Sequence, residues 1–124
     1  MSEQSALSSQ TEAVIRQYIK VTGEGDIDGV VDLYDDQGVF LPAPPETAIV
    51  RGKSAIREHY DAIISMIHKP QYQSVDVVVS GLQGSAELHC YFPELDEHRY
   101  IVDLFTTTSE GKIARMAAYR RETR

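Results

Sequence analysis

Tryptophan is absent from this 124-residue chain and cysteine occurs once, as Cys90. A single cysteine excludes an internal disulfide, and its strand-like surroundings suit a small buried hydrophobe better than a nucleophile. Basic charge is also scarce: 12 Lys and Arg face 19 Asp and Glu, for a formal charge of -7, and no basic stripe precedes the tail Arg120, Arg121, Arg124. Phosphate backbones are bound by clustered cations, so no nucleic-acid partner is expected. Long hydrophobic runs are missing; the stretch from Ile63 to Ile67 is interrupted by Ser65 and too short to cross a bilayer, and no signal-peptide pattern opens the chain. The expectation is a cytoplasmic protein with no membrane contact.

Several motifs are lacking too. His59, His68, His89 and His98 show neither H-x-x-x-H nor H-E-x-x-H spacing, and they read as solvent-facing, with no metal site expected. Neither G-x-x-x-x-G-K-[ST] nor G-x-G-x-x-G occurs, and no nucleophile elbow is present, so no cofactor is expected.

What is present, 42% hydrophobic and 25% charged residues, suits one globular domain with room for a small pocket. Residues 1–8 read as a flexible tail and residues 9–122 as the single domain. Ser9 and Glu12 have capping-box spacing, Val14, Ile15, Tyr18, Ile19 and Thr22 recur at helical intervals, and Gly23 and Gly25 supply a stop. Asp26 can cap a short second helix carrying Val30, Leu33 and Tyr34. Three prolines then break the pattern, giving a short strand from Gly38 to Leu41, a loop at the rim of a cavity, and another short strand near Ile49. Ile56, Tyr60, Ile63, Ile64 and Ile67 mark a third helix from Lys53 that stops before Pro70. Four alternating runs follow, near residues 71–80, 85–93, 97–108 and 112–120. The fold class is therefore α+β, three helices covering one concave face of a largely antiparallel sheet.

One run, YIVDLF at residues 100–105, places Asp103 between Ile101 and Phe105 on a strand face. An unpaired carboxylate there would be costly to ionise, so Asp103 is expected to have a raised pKa, with no Arg or Lys on its face. A capping or salt-bridged structural aspartate is the alternative. Tyr18, Tyr34 and Tyr60 each fall on the apolar stripe of a different helix, where a phenol must find a partner. Either their hydroxyls reach the surface, or they converge with a protonated Asp103 as donors to an oxyanion.

VIRQYIKVTGEGDIDGVVDLYDD, VRGKSAIREHYDAI, YIVDLF and GKIARMAAY together resemble the bacterial ketosteroid isomerases of the nuclear transport factor 2-like, or SnoaL-like, superfamily, from about Thr11 to Arg120. The resemblance implies a cystatin-like fold whose helices and curved sheet form a cone-shaped pocket. It implies that Tyr18 and Asp103 form the oxyanion hole, with Tyr60 and Tyr34 extending the hydrogen-bond network. The family's basic aspartate falls at Pro42, or at Leu41 if the match is shifted by one residue, and neither can accept a proton. Glu46, in the following loop, is the nearest candidate base. Phe40, Leu41 and Phe105 are expected against the ligand, together with Tyr34 and Tyr60. The FLPAPPETAIVRG segment also resembles superfamily members found beside polyketide pathways that keep the fold and change the chemistry.

Two readings follow. One is a cofactor-free isomerase shifting a double bond in a small hydrophobic ring ketone, or binding the related phenol. The other is a non-catalytic ligand-binding or dimeric module. A homodimer is expected through the sheet face opposite the helices, because Tyr100, Val102 and Leu104 have no layer to cover them.

Overall fold

A computed structural model describes residues 2–42, 48–67 and 69–121. Its elements are α1 (Glu3–Glu24), α2 (Ile27–Leu33), β1 (Tyr34–Leu41), β2 (Val50–Arg51), α3 (Lys53–Ile67), β3 (Gln71–Ser80), β4 (Gln83–Phe92), β5 (Glu97–Thr107) and β6 (Ile113–Arg121). The strands form one sheet in the order β2-β1-β6-β5-β4-β3. All neighbours are antiparallel except β1 and β6, which run parallel with Phe40 opposite Met116. The sheet is thus mixed, and the long return from β1 through α3 and β3–β5 carries the chain to β6 at its centre.

Helix α1 begins at Glu3, not near Ser9. Ser2 caps it by accepting from the Ser5 N–H at 3.1 Å, and Glu3 places negative charge in the first turn. The Ser8 hydroxyl accepts from the Gly81 N–H at 2.8 Å, tying this part of the helix to the β3–β4 turn. Residues 3–8, expected as part of a tail, are therefore helical. Thr11, Val14, Ile15, Tyr18, Val21 and Thr22 form the buried stripe of α1. It ends at Gly25, left-handed at φ +70°, where the N–H groups of Gly25 and Asp26 bond back to Thr22 and Val21.

Asp26 caps α2 by accepting from the Gly29 N–H at 2.9 Å. Tyr34, expected on the stripe of that helix, is instead its C-cap and the first residue of β1, with no exposed surface. The helix is shorter than its periodicity suggests because the chain turns extended at Tyr34 (ψ 144°) to pair beside Ile113.

The core lies between the helices and one sheet face, with Ile15, Tyr34, Ile56 and Ile113 fully buried. Ile15 sits so close to β4 that a Cβ at Gly84 would fall 2.6 Å from its Cδ1. On the opposite face Val78 is 64% and Leu104 40% exposed, beside a row of rings from Tyr91 through His98 and His89 to Tyr100. Among the described residues nothing covers that apolar face. Among the described residues no helix is long and apolar enough to cross a membrane.

Candidate functional site

A cavity of about 360 Å³ opens between α1, α3 and the inner sheet face. Most of its wall is apolar, with Phe40, Pro42, Ile63, Leu88 and Ile101 among the lining residues. The volume lies at the small end of the range for small-molecule sites, roughly 300 to 1,000 Å³.

Sheet register explains how Asp103 comes to face this space. Opposite it across the ladder stand Ala86 on β4 and Ala118 on β6, and directly paired residues share a face. Their small side chains leave room for the carboxyl and for the cavity, which Ala118 also lines. Asp103 is 4% exposed. Burial alone pushes its carboxyl up from 3.8 to about 7, because the charged form loses its hydration. Among the described residues none donates a hydrogen bond to it.

Arg99 does share the face of Asp103, at the start of β5, where it also lines the cavity. It departs from the expectation of a face without cations because the inward face extends beyond the YIVDLF run. Glu97 takes up its guanidinium, with Nε at 3.0 Å and Nη2 at 2.7 Å from one carboxylate oxygen. Its guanidinium also lies 5.1 Å from the Phe92 ring centre. Asp103 is thus not the partner of Arg99.

The tyrosines form a chain. The hydroxyls of Tyr18 and Tyr60 are 2.6 Å apart and those of Tyr34 and Tyr60 3.2 Å apart, all three residues being buried. Each phenol has one proton to give. If Tyr34 donates to Tyr60 and Tyr60 to Tyr18, the Tyr18 proton is left for an oxygen in the cavity. Burial raises the pKa of all three, and nearby Asp103 raises those of Tyr18 and Tyr34 further when it ionises. They remain neutral donors at pH 7. Phe105 props the Tyr18 ring edge-on at 5.3 Å and Phe40 stacks on Tyr60 at 5.0 Å.

A second polar group lies along the wall. Thr22 donates to the Tyr18 carbonyl at 2.8 Å, and its hydroxyl is 2.6 Å from that of Tyr72. With the threonine proton so used, Tyr72 is the donor of that pair. Its pKa is raised by burial, and that of Cys90 is pushed up to about 12 for the same reason, so neither ionises at neutral pH.

The sequence profile of the SnoaL-like domain matches residues 15–116, from α1 to β6. The chain belongs to the SnoaL-like family. No curated protein matches its sequence. Among solved structures it is similar to one provisionally named a ketosteroid isomerase from Kribbella flavida DSM 17836, at 13% identity over 94% of this chain and 82% of that one, with a TM-score of 0.78. SalBIII, an epoxide hydrolase/cyclase-like enzyme of pyran ring formation in the polyether salinomycin, is 19% identical over 91% and 92%, with a TM-score of 0.75. A phenazine biosynthesis-related protein from Pseudomonas aeruginosa is 15% identical over 98% and 81%, with a TM-score of 0.79. At these identities the likeness is one of fold.

In this SnoaL-like domain Tyr18, Tyr60, Asp103 and Phe40 line the cavity. Tyr34 stands behind Tyr60 in the hydrogen-bond chain, Phe105 lies behind Tyr18, and Leu41, 8% exposed, is not part of the cavity wall. The wall takes Phe40 and Pro42 from the end of β1, two residues apart as strand alternation requires, so Pro42 and not Leu41 faces inward. Glu46 lies outside the described residues.

His59, expected to face solvent, is half-buried and lines the cavity. Its ring meets Phe40 edge-on at 5.1 Å and Tyr60 at 6.4 Å. The signal was in the α3 stripe, since 56, 59, 60 and 63 are helical neighbours, but no metal-ligand spacing marks His59. Among the described residues no three His, Cys, Asp or Glu side chains could hold a metal together.

Proposed function

We propose that this SnoaL-like domain is a cofactor-independent isomerase of the ketosteroid isomerase type. Its substrate is a small hydrophobic ring ketone whose double bond moves through an enolate, and the related phenol is a ligand. Tyr18 and Asp103 donate to the enolate oxygen, and Tyr60 and Tyr34 support Tyr18 from behind. The observation that carries this reading is the 2.6 Å contact between the Tyr18 and Tyr60 hydroxyls beside a buried Asp103, to which no described residue donates, on the wall of one apolar cavity. Convergent donors in a water-poor site stabilise charge that develops on oxygen far more than they would in water. Glu46 remains a candidate base for the loop beyond Pro42. The functional unit of this reading is a cytoplasmic homodimer joined through the outer sheet face.

Enone absorbance on mixing with a Δ5-3-ketosteroid tests the proposal. Turnover should fall roughly 10²- to 10³-fold in Tyr18→Phe, the usual consequence of losing one oxyanion donor. A wild-type rate equal to that of buffer would sink it.

Pro42 favours a second reading. An apolar residue where the resembling family places its base suits a ligand-binding module, or a pathway enzyme with the fold of SalBIII and other chemistry. Tight binding of a phenolic steroid without any turnover of the ketone would select it.

A further inference from the structure

Among the described residues six ionisable side chains line the cavity besides His59: Tyr18, Tyr60, Tyr72, Cys90, Arg99 and Asp103. None is suited to take a proton from carbon at neutral pH. The three phenols are raised by burial and the thiol stands at about 12, so all four are neutral donors. Arg99 is a cation held by Glu97. An ionised Asp103 would set a negative charge beside the oxygen on which an enolate must form, opposing the reaction it would have to start.

His59 differs from these in position and chemistry. Helix α3 presents it one residue before Tyr60, and the stacked rings of Phe40 and Tyr60 meet its ring edge-on from one side. Pro42 follows Phe40 along the same wall. Among the described residues nothing hydrogen-bonds the imidazole, and its ring contacts are with the aromatic carbons of Phe40 and Tyr60. Burial holds its pKa below the usual 6.5, so the ring is neutral and has a lone pair at pH 7.

Resting on the isomerase reading, we propose that His59 is the proton acceptor of this cavity, supplied from α3 where the end of β1 offers only Pro42. A ring nitrogen removes the proton from the carbon next to the ketone. The C–H electron pair becomes a carbon–carbon double bond, and the carbonyl pair moves onto the oxygen facing Tyr18 and Asp103. The imidazolium returns the same proton to the far carbon of the conjugated system, and the oxygen pair re-forms the carbonyl. No oxidant, reductant or second substrate enters, and the ring ends neutral.

The test measures kcat and KM with a Δ5-3-ketosteroid, and in parallel the Kd of a phenolic steroid, in wild type, His59→Gln, His59→Asn and Glu46→Gln, with the exposed Glu58→Gln as control. Loss of a general base should lower kcat by ~10²-fold or more in both His59 variants while KM and the phenol Kd stay within about threefold. Wild-type kcat in the His59 variants, with loss in Glu46→Gln, would move the base to the loop and leave the isomerase reading standing. Loss of phenol binding together with kcat would overturn the proposal differently, by making the His59 ring a prop for Tyr60. No turnover by wild type would overturn both this assignment and the reading beneath it.

Discussion

Asp103→Asn removes a cavity carboxyl that holds its proton in the folded chain across a pH range in which the unfolded chain has lost it. Its carboxyl is 3.8 when free and about 7 when folded, raised by desolvation. Below about pH 4 both states hold the proton, and the carboxyl does not affect stability. Between there and pH 7 the unfolded chain ionises while the buried group does not, so the folded state loses stability as pH rises. Above the folded value the loss is complete and constant. The interval corresponds to about 4 kcal/mol, since each pH unit of difference is worth ~1.4 kcal/mol. Asparagine is nearly isosteric and does not titrate, so urea denaturation of both proteins from about pH 4 to pH 8 isolates the effect. The advantage of Asp103→Asn over wild type should grow by up to about 4 kcal/mol across that range. A difference that stays flat would refute desolvation as the cause. A difference that shrinks with rising pH would mean that a cation holds the carboxylate.

Other outcomes follow from the same geometry. Tyr34→Phe, at the far end of the hydroxyl chain, should cost turnover less than Tyr18→Phe, roughly tenfold or below, because it removes a donor to Tyr60 and no contact with the ligand; equal losses measured with the ketone would contradict the order of the chain. In a His59→Gln background, Pro42→Asp should regain ~10²-fold in rate, whereas Leu41→Asp should gain nothing and lower the urea midpoint, since Leu41 is buried away from the cavity. Leu104→Glu, on the uncovered sheet face, should shift sedimentation from dimer to monomer without unfolding the chain; a wild type that stays monomeric at high concentration would remove the interface altogether.

Local patterns carried much of this structure and long-range pairing carried the rest. The 56-60-63 stripe marks α3, and alternation locates β3 through β6 to within a few residues. Nothing local announces that β1 lies parallel to β6, because that pairing depends on the chain returning from the far side of the sheet. Tyr34 illustrates the same limit: its spacing from Val30 suits a helix, yet pairing beside Ile113 makes it extended. Asp103 was legible because a carboxylate between Ile101 and Phe105 violates the pattern around it. Arg99, outside the YIVDLF run, and His59, among helical neighbours, violate no local pattern.

A crystal structure with a bound phenolic steroid would show which groups hold the ligand oxygen. The oxyanion-hole reading requires the phenolic oxygen within roughly 2.6 to 3.2 Å of both the Tyr18 hydroxyl and an Asp103 carboxyl oxygen, the range of a productive hydrogen bond. An oxygen seated instead beside Arg99, or left in solvent with Tyr18 and Asp103 facing only carbon, would contradict it.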